Sequence, residues 1–203
     1  MAQGSVLTSP AQPANVSLTC RPDRSGNKLV FPYTVTNQGS ADVYVMDAVP
    51  VPDPAARRVV IDHHATVIWL GGDGFAHVLK GIAPLPPDRD VLGSVIPLAA
   101  KLERGGTLQR ALEVPLPLAE TNPYYPDLPV REYDLTDIQG VTLIVEFLRS
   151  TAEGFGAEPA ADAPELFRVW SKDMLGQIER AFCGFPSRQL QLLKRRDNFP
   201  RPD

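Results

Sequence analysis

Three histidines, His63, His64 and His77, are the only ones in the chain, and two of them follow an aspartate in the string Val60-Ile61-Asp62-His63-His64. Imidazole and carboxylate are the donors of a catalytic zinc site, where three protein ligands leave a fourth position open. Successive residues of a strand point to opposite faces, so His63 and His64 cannot share one ion on a regular strand. Asp62 and His64 do share a face, and His77 lies in the following hairpin. Asp62, His64 and His77 are therefore the candidate zinc ligands. Their spacing matches no ligand signature, so the preferred expectation is that neither metal nor other cofactor is bound and the histidine pair is polar surface.

A nucleophile is harder to find. The chain has no GxSxG turn to present a serine. Cys20 and Cys183 are too far apart for a CxxC motif. Cys20 falls on an inward face, and two independent buried thiols are expected. A disulfide closing a long loop is the alternative in an oxidising compartment. Gly71-Gly72-Asp73-Gly74 lacks the helix that a phosphate loop must feed, and reads as a hairpin turn. Asp127, Glu132, Asp134 and Asp137 do not follow the spacing of a calcium loop. The string VIDHH resembles the motif of the DHH phosphoesterases, in which aspartates and histidines bind two metal ions. The resemblance ends with the string, because the further acidic ligands upstream in that family have no counterpart here.

The remaining candidates are aromatic. Tyr124-Tyr125 stands between Pro123 and Pro126, which hold the pair stiffly. Two readings are open: a rigid contact surface for a protein partner, or rings that cap one end of the domain. With an exposed Trp69, the same tyrosines would suit a carbohydrate-binding module.

What positions these residues is a chain of short strands. Twenty-one prolines in 203 residues, scattered without a repeat, disfavour long helices. The Gly71–Gly74 turn marks Thr66–Leu70 and Phe75–Lys80 as the strands of a hairpin, and period-two alternation marks strands at Val16–Cys20, Leu29–Thr36, Val43–Val49 and Leu108–Val114. On the last, Arg110 shares the face of Leu108, Leu112 and Val114. Pro32 suggests an edge position or a bulge. Val141–Leu148 is apolar on both faces and predicts a central strand. Pro115–Pro129 is expected to be irregular or extended. Residues 151–163 are rich in Gly, Ala and Glu and read as a linker. Beyond it, Leu166, Trp170, Met174, Ile178 and Phe182 recur every four residues, with Pro164 before and Gly184 after, and predict an amphipathic helix. Gln189–Lys194 is a candidate last strand.

The strand–turn–strand unit KLVFPYTVTNQGSADVYVMD, residues 28–47, resembles the strand pair of bacterial immunoglobulin-like modules. The resemblance implies a mainly β, antiparallel immunoglobulin-like sandwich with long Pro-rich loops and one C-terminal helix. The expected organisation is an N-terminal arm over 1–14, a sandwich over 15–150, and a linker, helix and C-terminal segment over 151–203. That fold carries no activity of its own.

The net charge of −4 comes without a broad basic patch, which argues against nucleic acid. No apolar run is long enough to span a bilayer. The N-terminus lacks a signal-peptide pattern, so a cytoplasmic chain is expected as the sequence stands, or else a mature exported one. Without a convergent catalytic set, the expected role is a non-enzymatic binding, accessory or assembly module. Its partner would be another protein or a second copy, met through loops or an edge strand. A small metal-dependent enzyme or a carbohydrate-binding module is the alternative.

Overall fold

The structure is a computed structural model that describes residues 15–53, 58–87, 90–91, 94–187 and 189–202. The expected arm over 1–14 lies outside them. The strands are β1 Val16–Cys20, β2 Asp23–Ser25, β3 Lys28–Asn37, β4 Val43–Asp53, β5 Arg58–Asp62 and β6 Val67–Leu70. Next come β7 Phe75–Lys80, β8 Leu98–Leu102, β9 Thr107–Pro115, β10 Leu118–Ala119 and β11 Tyr133–Asp137. The last are β12 Gly140–Arg149, β13 Gly156–Ala160, β14 Ala163–Trp170, β15 Glu179–Pro186 and β16 Gln191–Arg195. One α-helical turn, α1, spans Met174–Gln177.

The protein is mainly β, built of several mostly antiparallel sheets, none of them closed. A four-stranded sheet has β3 at its centre, with β1 and β2 end to end along one edge and β9 along the other. A nine-stranded sheet is organised on β12, and β10, β16 and β11 form a third, small sheet. The two larger sheets bury their facing side chains together. Phe31, Val35 and Leu112 from the first share one core with Val45, Val78, Leu143 and Phe147 from the second. This is the packing that period-two alternation produces when two sheets meet face to face.

β12 is central, as its two apolar faces predict, and it pairs on both edges. Phe147 pairs with Glu179 of β15 and with Val45 of β4, so those strands flank β12 on opposite sides. β7 pairs with Gly140–Val145 on the same edge as β4. That edge therefore forks at Glu146, where Lys80 of β7 ends one ladder and Val45 of β4 belongs to the next.

The predicted helix over 164–183 is not formed. Its residues make β14, the single turn α1, and β15. A four-residue spacing is a multiple of the strand period as well as close to the helical one, so it could not separate the two. The free edge of β12 takes β15 as its partner, and Phe182, Phe185 and Val169 suit a strand better than a helix. The expected linker is part of the sheet as well: β13 and β14 form a hairpin turning at residues 161–162.

Pro32 is not on an edge strand. β3 is interior, and Pro32 falls where β1 gives way to β2: the paired residues stop at Cys20↔Tyr33 and resume at Asp23↔Val30. Its carbonyl accepts from Arg21 N in that interruption, so its missing N–H costs the sheet no ladder bond. Cys20 and Cys183 are joined in a disulfide, not held as separate thiols. They lie on β1 and β15, the edge strands of the two larger sheets, and bring those edges together. Among the described residues no helix is long and apolar enough to cross a membrane.

Candidate functional site

The aspartate and histidines picked out by the sequence take separate posts. Asp62 Oδ1 accepts the backbone N–H of His64 at 2.7 Å, closing the turn that follows β5. His63 Nδ1 lies 3.3 Å from Asp47 Oδ2. His64 Nδ1 accepts the backbone N–H of Glu113, 3.3 Å away on the outer edge of β9. His77 faces the other side of its sheet, 3.4 Å from Asp73 and edge-on to Trp69. The structure thus does not bring Asp62, His64 and His77 together. Among the described residues no three His, Cys, Asp or Glu side chains are grouped to hold a metal ion.

What it does bring together is a buried ionic cluster that no sequence motif marks. Asp47, Lys80 and Arg110 all occupy positions in phase with the buried face of their strands. Arg110 of β9 gives Nε and Nη2 to the carboxylate of Asp47, at 3.0 Å and 2.9 Å, across the space between the sheets. The Lys80 ammonium donates to the carbonyls of Asp47, His63 and Ala65. Burial lowers the Lys80 pKa to about 8, against the opposing pull of Asp47 and Asp62. Burial first, and Asp47 second, push the Tyr33 hydroxyl upward.

The cluster has a physical origin in the fork. Where β7 and β4 part from β12, backbone groups lose their ladder partners. Lys80 serves the Asp47 carbonyl of β4 there, together with the His63 and Ala65 carbonyls of the β5–β6 connection. On the outer face Glu146 accepts the N–H of Ile82 at 2.7 Å. Gly81 makes room for that: a Cβ there would lie 2.3 Å from Glu146 Oε2. These charges are engaged in holding backbone, so the cluster reads as scaffold.

The scaffold fixes the base of a two-stranded ribbon. Among the described residues β5 pairs only with β4, over Val49–Asp53. Val51, Val59 and Val60 are exposed on it. Val51 and Val60 are cross-strand partners on one face, and Val49 and Val51 continue that face into an apolar cleft of about 280 Å³. Val67, Ala83, Val95, Pro123 and Tyr125 also line it, with Thr66, Thr121, Asn122 and Asp127 as its polar residues.

The segment Pro115–Pro129 that frames this cleft is densely bonded. Glu120 is fully buried and accepts from Leu70 N, Arg195 N and the Arg201 guanidinium. Asn122 is buried too, giving Nδ2 to Pro84 O and taking Tyr124 N on Oδ1. Tyr124 is half-buried, and its hydroxyl accepts Val95 N at 2.7 Å. Tyr125 is only 6% exposed, with its ring 5.3 Å from that of Phe199. Tyr125 thus caps the outer face of the large sheet instead of standing free as a contact. Trp69 is not exposed either: it is 4% accessible and donates to Pro202 O. The cover for both comes from residues 198–202, which sequence proximity could not reveal.

No family model, curated protein or solved structure matches this chain. Function must therefore be argued from the site alone.

Proposed function

We propose that this domain is a non-enzymatic, immunoglobulin-like binding module that recognises an extended segment of another protein on the β4–β5 ribbon. The observation that carries the reading is the continuity of the exposed Val60–Val51 face with the cleft beside Tyr125. An edge strand offers unpaired backbone groups for strand addition, and pockets beside it select alternate side chains. An apolar side chain of the partner would enter the cleft between Val49 and Tyr125. The loop contributes a rigid wall, because Glu120, Asn122 and Tyr124 are already bonded in place. The packed sheets and the interior β3–β4 unit support the immunoglobulin-like description.

A photoreactive p-benzoylphenylalanine at position 60, irradiated in extracts of the native source, tests this. One discrete protein adduct is expected, absent when the same reagent sits at Gln109 on the opposite sheet, and lost on adding Val51→Asp. The same adduct pattern from both positions would end the proposal.

A further inference from the structure

The outer face of the large sheet carries a second cleft, of about 620 Å³, which shares only Ala83 with the one beside the ribbon. Its walls are Leu85, Leu175, Ile178 and Phe182, and Glu146 and Arg180 stand at its floor. Leu85 and Leu175 remain 46% and 62% exposed at the rim, a large apolar area left in water. Its lining mixes apolar and polar surface in similar measure, and a cleft of this volume is of the usual size for a small-molecule site.

The two floor charges are unequal in reach. The Glu146 side chain is 3% exposed, whereas that of Arg180 is 50% exposed. One carboxylate oxygen of Glu146 takes Ile82 N and the other takes Arg180 Nε at 3.0 Å. The charge that an entering molecule meets is therefore the guanidinium. Among the described residues Arg180 is held through Nε, which leaves its Nη edge, the planar fork that carboxylates match, to a second acid group.

We propose that this cleft binds a small monocarboxylate bearing an apolar chain, with the head on Arg180 and the chain along Leu85, Leu175, Ile178 and Phe182. Charge complementarity selects an acid over an amine, since an amine would have to displace Arg180 from a carboxylate that is almost closed to solvent. Burial raises the Glu146 pKa, ahead of the lowering effects of Ile82 N and Arg180. The inference stands apart from the ribbon reading and survives its failure.

Calorimetric titration of the full chain with octanoate, and separately with octylamine, decides it. Octanoate should bind saturably with one site per chain, and octylamine should not. Arg180→Met should weaken octanoate at least about tenfold. Leu175→Asp, on an exposed rim residue that cannot disturb the core, should do the same and keeps the test open if Arg180→Met melts early. Octylamine binding as tightly as octanoate, octanoate binding untouched by Leu175→Asp, or no saturation by octanoate at millimolar concentration would each overturn the proposal.

Discussion

Arg110 Nη2 lies 2.9 Å from Asp47 Oδ2, so that β9, an edge of the four-stranded sheet, is tied to β4 in the larger sheet. On the other side of β3, the Cys20–Cys183 bond ties β1 to β15. The space between the sheets is thus closed on one flank by a covalent bond and on the other by an ion pair whose carboxylate is 1% exposed. Removing one member of such a pair leaves a charge in a poor solvent. Arg110→Met should cost about 2 to 3 kcal/mol in urea unfolding, short of the fully buried range because Arg110 is partly solvated and His63 also faces Asp47. A cost below about 0.5 kcal/mol would show that the pair is screened like a surface bridge.

The disulfide makes a separate prediction. Its ends are 163 residues apart. In the chain-entropy account a loop of that length stabilises by about 5 kcal/mol, and engineered cases often fall short of the model. Cys20→Ser with Cys183→Ser should therefore lower the unfolding free energy by about 2 to 5 kcal/mol. The wild type with dithiothreitol should follow the double variant in the same urea titration.

Lys80 governs stability in mild alkali. Its folded pKa of about 8 lies below the ordinary value of 10.5. Between those values the unfolded chain binds the proton that the folded chain has released, so stability rises with pH across that window. The full gain is on the order of 3 kcal/mol. Tyr33, held protonated in the fold, works in the opposite sense above its ordinary value of 10, so the measurement belongs between pH 7.5 and 10. Denaturant midpoints should climb over this range in the wild type and stay level in Lys80→Met.

Tyr124 and Tyr125, adjacent in sequence, should behave differently. Tyr125→Ala opens a cavity against Phe199 and should cost about 3 to 4 kcal/mol. Tyr124→Phe removes the hydroxyl that accepts from Val95 N and should cost about 1 kcal/mol. Thermal melts of the two single variants separate these outcomes.

Much of the strand layout was legible because one-faced burial leaves a period of two, and Val16–Cys20 is bounded as its alternation indicates; Val141–Leu148, apolar on both faces, lies wholly within β12. The late helix was misread because Leu166, Trp170 and Met174 recur at a spacing common to both periods. The ionic cluster left a signal that motif searching overlooks. Asp47 follows Val43 and Val45, Lys80 follows Ala76 and Val78, and Arg110 sits between Leu108 and Leu112, each a charge at a buried position. Charges in phase with a core demand partners. Which partners they find depends on contacts 33 and 63 residues away in the chain, and no local pattern encodes those.

The Cys20–Cys183 bond also changes what a protease can achieve. A cut in any loop between Arg21 and Phe182 leaves two pieces that remain one molecule, since each keeps one of the two sulfurs. Such a nicked chain migrates as a single species without reductant and separates into two with it. The β-sheet edges joined by the bond stay in register after the backbone is broken, so the protein can lose the continuity of its chain before it loses its shape.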